Sequence, residues 1–216
     1  MNELVDNISI YIIEDELLIC DILCDVIGSI KGCILAGGTT NGATALKDIS
    51  EFQPDIVFAD IKLNNENGFD LISRIKSQFP EIKIIILSGY CNKTLIGQAI
   101  KSGASGYLTK NLKIDYIEDA IKNVYHSASF YIPENVGYRI DEVLSDINLY
   151  PNQFLLTKRE KEILILIANE FSTREIAEKL QISEKTVRNH KSHMMQKLDI
   201  KSDAGLVKYA YYMAFI

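Results

Sequence analysis

Short apolar runs and amphipathic stretches alternate strictly through the first 127 residues. The runs, at 8–13, 33–38, 56–59, 83–87 and 106–109, are four to six residues long and rich in Ile, Val, Leu and Phe. Between and after them, residues 16–29, 42–51, 68–78, 92–102 and 114–127 repeat their apolar positions at helical spacing. In the last of these, Ile114, Ile117, Ile121 and Val124 form the predicted inward stripe, with Lys113, Glu118 and Lys122 outward. A run that is apolar at every position, not every second one, predicts a strand covered on both faces, as in a parallel sheet. Five strands alternating with five helices predict an α/β fold, a doubly wound five-stranded parallel sheet with right-handed crossovers.

At residue 128 the alternation stops. Residues 128–153 hold Pro133, Pro151 and one weak helical stretch near 140–147, the pattern of an interdomain linker carrying a short helix. From residue 154 onward the pattern is wholly helical. Thr157 with Glu160, and Ser172 with Glu175, have the spacing of capping boxes. Ser183 is placed to cap a third helix running to about residue 198 and burying Val187, Met194 and Leu198. A fourth covers about 202–213. The second and third, separated by Gln181-Ile182-Ser183, form a helix-turn-helix candidate in a small all-α four-helix domain. The expected division is 1–127, linker 128–153, and 154–216.

Composition changes this picture little and charge changes it more. The chain has 216 residues, 47% hydrophobic and 24% charged, an ordinary globular balance. No apolar run approaches the roughly 18–20 residues of a membrane span, and the polar start MNELVDN predicts no signal peptide and a cytoplasmic location. Cys20, Cys24, Cys33 and Cys91 lack metal-type doublet spacing and are expected as buried free thiols. Residues 1–130 carry 11 Lys+Arg against 17 Asp+Glu, whereas residues 154–216 carry 11 against 8. An acidic front and a basic tail predict different partners, the tail's a polyanion.

The candidate chemistry lies at strand ends, where open parallel sheets gather their functional groups. The first run closes in Glu14-Asp15-Glu16, the third in Asp60, the fourth in Ser88-Gly89 and the fifth in Lys110. An acid or lysine at one such end is an ordinary cap or a solvated group. Four ends together are more specific. Crowded carboxylates favour a hard cation, and oxygen ligands at a partly open site favour Mg²⁺. With a hydroxyl at Ser88, room at Gly89 and a point charge at Lys110, the set predicts phosphoryl transfer to Asp60.

On these residues, 8–127 resembles the receiver domain of bacterial response regulators. The resemblance implies Asp60 as phospho-acceptor, Ser88 and Tyr107 as switch residues, and Lys110 as the lysine of the site. It also implies Mg²⁺ on Asp15, Asp60 and the backbone carbonyl of Lys62, with Glu14 acting through water. Three positions depart from the family pattern: Glu14 stands for the commoner Asp, Asn64 for a frequent proline, and Lys62 adds a cation beside the acceptor.

In the tail, Lys185, Arg188, Asn189 and Ser192 fall at i, i+3, i+4 and i+7, a polar stripe expected to be basic and free of acids, opposite Val187, Met194 and Leu198. Arg and Asn can read guanine and adenine through paired hydrogen bonds. LTKREKEIL, STREIAEKL, ISEKTVRNHKSHMMQKL and DIKSDAGLVKYA resemble the LuxR-type helix-turn-helix domain of the NarL/FixJ class of regulators. That resemblance implies base contacts from Lys185, Arg188, Asn189 and Ser192, and phosphate contacts near Thr186 and Lys191. A dimer contact through Ala204, Val207 and Tyr211 is implied as well.

Together the two resemblances imply a two-component response regulator, not an enzyme. Its partners would be a sensor histidine kinase, promoter DNA and, when active, a second copy of the chain, with no membrane. An alternative is a phosphorylation-independent regulator whose front domain serves as a protein-interaction module. A phosphohydrolase would want a second acid two residues after Asp60, where Lys62 stands.

Overall fold

The computed structural model describes residues 7–63, 66–110, 113–149, 156–198 and 200–212. Contacts divide the chain into two compact units, Met1–Cys91 with Ala99–Ile140 and Asn92–Gln98 with Asp141–Ile216.

The first unit is built on five parallel strands, β1 (Ile8–Ile13), β2 (Cys33–Thr39), β3 (Ile56–Asp60), β6 (Lys83–Ser88) and β7 (Gly106–Thr109), in the order β2-β1-β3-β6-β7. The direction of winding reverses between β1 and β3, so the crevice of the sheet opens at their carboxyl ends. Register brings Ile13 beside Ala59, Asp60 beside Leu87, and Ser88 beside Thr109, which lines up the four strand ends. The all-apolar pattern is explained by burial: every residue of β3 is buried, and only Lys83 of β6 is partly exposed.

One face of the sheet packs against α1 (Leu17–Ser29) and α5 (Ile114–His126) in a core of Ile10, Ile12, Leu23, Ile27, Phe58, Ile85, Leu108, Ile117, Ile121 and Val124. Alternate residues of the same strands point the other way, and α2 (Gly42–Phe52) and α3 (Gly68–Gln78) bury Ala45, Ile49, Leu71, Ile72 and Ile75. Tyr11 is fully buried and satisfies its hydroxyl on Asp48 Oδ2 at 2.6 Å. The helix α4 (Lys93–Ser102) follows β6.

Three local expectations change. Ile114 is 48% exposed and not part of the inward stripe, because it opens α5 at the rim where the sheet ends. The polar segment after Asp60 holds a two-residue hairpin, β4 (Lys62–Leu63) against β5 (Glu66–Asn67), while Asn64 falls outside the described residues. Past residue 127 the chain remains tied to the sheet. Tyr131 forms a parallel bridge with Gly106, donating to Ser105 O and accepting from Tyr107 N, both at 2.9 Å. A helix, α6 (Ile140–Leu149), occupies the expected weak helical stretch.

The later helices are α7 (Lys158–Ala168), α8 (Thr173–Leu180), α9 (Glu184–Leu198) and α10 (Asp203–Tyr212). Both capping boxes form, and Ser183 Oγ accepts from Thr186 N at 3.0 Å. Between α8 and α9 the chain turns through Gln181, whose φ of 53° is left-handed. Ile163, Leu164, Ile176, Val187, Met194, Leu198 and Leu206 form the buried interior. Two cations brace the helix ends: Arg159 donates to Leu180 O at 2.7 Å, and Lys197 Nζ lies 2.9 and 2.7 Å from the two carboxylate oxygens of buried Glu160. No helix among the described residues is long and apolar enough to cross a membrane.

Candidate functional site

Strand geometry delivers the charged groups of the first unit to one place. Glu14 leaves β1 fully buried, and Asp60 ends β3 at 4% exposure. Lys110, just past β7, reaches across with Nζ 2.8 Å from both Glu14 Oε1 and Asp60 Oδ2. Asp15 is half-buried, and one carboxylate oxygen each from Glu14, Asp15 and Asp60 lies within 4.8 Å of the others. The N–H of Lys62 donates to Asp60 Oδ1 at 3.1 Å, fixing that carboxylate from its own loop. Gly68 allows that loop to close. It donates to Ile61 O at 2.9 Å, and a Cβ there would sit 2.3 Å from Asp60 O.

Burial pushes the Glu14 carboxyl up to about 7, with the Asp60 charge adding to it and Lys110 opposing. Asp60 is raised for the same first reason, burial, against which Lys110 and the Lys62 N–H act. Lys110 is penalised by burial, but Asp60 and Glu14 outweigh that and hold it above its ordinary value. Glu14 and Asp60 therefore share the Lys110 ammonium, with Asp15 beside them. Glu14 Oε2 is buried and has no hydrogen-bond partner, an orphaned acceptor at the edge of an all-oxygen donor set. That set fits a hard divalent ion such as Mg²⁺, whose ligands here would be Asp15 and Asp60 with Glu14 behind them.

Ser88 is fully buried at the end of β6, and its Oγ accepts from Tyr90 N at 3.2 Å. Tyr107 is fully buried too, its hydroxyl donating to Tyr90 O at 2.7 Å. Thus Tyr107 already points inward, and the backbone of Tyr90 connects the two predicted switch residues. Sequence spacing could not show that link. The four cysteines are free thiols as expected, but only Cys20 is buried, and the other three are half-buried.

On α9, Lys185, Arg188, Asn189 and Ser192 are exposed along one stripe, opposite buried Val187, Met194 and Leu198. Thr186 is half-buried and engaged with the cap, its Oγ1 2.8 Å from Ser183 Oγ. The stripe itself holds no acid, but acids flank it. Glu184, four residues before Arg188, holds its guanidinium at 2.9 Å, and Lys191 pairs with Asp203 Oδ2 at 2.7 Å. The first pair was legible as an i, i+4 spacing; the second joins two helices and was not. On α10, Ala204 and Tyr211 are exposed and Val207 half-buried.

Known proteins repeat this two-part organisation. Residues 10–122 match the response regulator receiver domain, and residues 155–210 match the luxR family of bacterial regulatory proteins. The chain is 36% identical over 176 residues to the oxygen regulatory protein NreC of Staphylococcus carnosus, spanning 79% of this chain and 81% of that one. The NreC of Staphylococcus haemolyticus is 35% identical over the same span. Among solved structures, an RcsB–DNA complex shares the fold with a TM-score of 0.70 at 22% identity, covering 96% of this chain and 99% of that one. The response regulator ChrA of a heme-sensing two-component system gives 0.52 at 25% identity, covering 98% and 100%.

Proposed function

Since the chain belongs to the response regulators that join a receiver to a LuxR-type DNA-binding domain, we propose that it is a transcription factor switched by phosphorylation of Asp60. The observation that carries this is Lys110 bridging Glu14 and Asp60 at the carboxyl ends of β1, β3 and β7. In the proposed step, an Asp60 carboxylate oxygen attacks the phosphorus of a phosphohistidine on a sensor kinase. The P–N bond breaks as the P–O bond forms, and the imidazole leaves. Lys110 balances the charge on the phosphoryl oxygens, and the Lys62 N–H orients the attacking carboxylate. Mg²⁺, when bound, supplies further positive charge to the transferring group.

A phosphoryl group on Asp60 adds charge and three strong acceptors next to Ser88. Drawing the Ser88 hydroxyl toward it removes the acceptor that Tyr90 N uses, and Tyr90 O is what holds Tyr107. The signal would pass along that short chain to α4 and α5. The output is dimerisation through Ala204, Val207 and Tyr211 and promoter binding through Lys185, Arg188, Asn189 and Ser192, with Thr186 and Lys191 toward phosphates. The exposure of the Lys185–Ser192 stripe and of Tyr211 supports those assignments. The proposed division is receiver 1–127, linker 128–153 and DNA-binding domain 154–216; it is supported by family matches that cover 10–122 and 155–210.

Incubation with Mg²⁺ and acetyl phosphate, followed by intact mass, tests the acceptor. The expected result is a single phosphoryl adduct, absent from Asp60→Asn; an adduct that persists in that variant would place the acceptor elsewhere.

A further inference from the structure

We infer that Glu184 is a specificity-determining residue, holding Arg188 away from phosphates and releasing or presenting it only to a matching base edge. This rests on the proposal that α9 enters DNA. Glu184 opens α9 and Arg188 lies one turn on, with Oε2 to guanidinium at 2.9 Å and side chains 44% and 63% exposed. Glu before Arg at i, i+4 is the favourable order for such a pair.

Every duplex offers Arg188 a phosphate, whatever its sequence. A phosphate oxygen replaces the Glu184 carboxylate with another single-charge acceptor, so the exchange gains little. It also brings the Glu184 charge against a polyanion. Guanine offers two acceptors in the fork geometry of the guanidinium, and a glutamate beside it can accept from cytosine N4. The pair can therefore dock as a unit on a matching step while remaining unfavourable everywhere else, a penalty directed at the wrong partners. The Lys191–Asp203 pair is a useful contrast. Lys191 is expected at phosphates, so Asp203 should weaken binding to all sequences alike.

The test uses full-length protein. A duplex selected from a random library by the wild-type chain and a scrambled duplex of equal composition are titrated across salt with wild type, Glu184→Gln, Glu184→Asp and Asp203→Asn, each checked for an unchanged melting curve. Glu184→Gln is expected to tighten scrambled DNA by about fivefold and change the selected duplex by under about twofold. Glu184→Asp, which keeps the charge but shortens the reach, should lose discrimination without that general gain. Asp203→Asn should tighten both duplexes alike. The inference is overturned if Glu184→Gln tightens both duplexes equally, a plain charge effect, or leaves their ratio intact. If the wild-type chain shows no salt-dependent duplex binding, the DNA-binding proposal itself fails, a result distinct from either.

Discussion

The cluster around Asp60 and the helix α9 both pair acids with bases, yet they do opposite things with water. Around Asp60 the pairs are withdrawn from it: Glu14 is fully buried and Asp60 nearly so. On α9 the partners are exposed, and Glu184 and Arg188 sit one turn apart in solvent. Buried charges interact strongly and are costly to strip of a partner, whereas exposed pairs contribute typically about 0.2–1 kcal/mol and are screened by salt. The first arrangement can store a signal in a change of charge. The second can be exchanged for a ligand at little cost. The Glu160–Lys197 pair lies between them, with a buried acid and a lysine that still reaches solvent.

Breaking the buried arrangement should give the largest effect. Lys110→Ala leaves Glu14 and Asp60 facing each other and removes the cation from the transferring group. Phosphorylation by acetyl phosphate should slow by about 100-fold, measured from the rate of adduct growth. Next comes Glu160→Ala, which removes the N3 member of a capping box and the partner of Lys197 together. It should cost the helical unit about 2 kcal/mol in urea unfolding. Burial and Lys197 pull the Glu160 carboxyl in opposite directions and the net is downward, so this contribution is present at neutral pH and is lost as pH falls through the depressed value.

A smaller effect sharpens the comparison through pH. Glu14 is raised to about 7, and its protonated form offers a cation no charge. Apparent Mg²⁺ affinity should therefore rise as the pH increases, by about tenfold between pH 6 and pH 8. Calorimetric titration of wild type against Glu14→Gln checks this, with the slope expected to flatten in the variant.

Much of this was legible along the chain because the signals were local or periodic. Five apolar runs gave the sheet, and the carboxylate, hydroxyl or lysine closing four of them gave the site, since a strand's end and the side chain that closes it are written in sequence. The capping boxes at Thr157 and Ser172 were equally readable. What escaped was tertiary. That Tyr90 joins Ser88 to Tyr107 depends on a backbone position, not a residue type. The Asp203–Lys191 and Glu160–Lys197 pairs cross between helices, where spacing carries no information. Ile114 obeyed the helical period and still faced outward, because a period names a stripe and not where the sheet beneath it stops.

The most direct test of the central claim couples the two regions. Binding of the full-length chain to a selected duplex is measured by fluorescence anisotropy with and without beryllofluoride and Mg²⁺, for wild type and Asp60→Asn. Binding should tighten on addition to wild type, by at least about tenfold, and stay unchanged in the variant. Equal tightening in both, or none in a wild type that takes up the phosphoryl mimic, would contradict the claim.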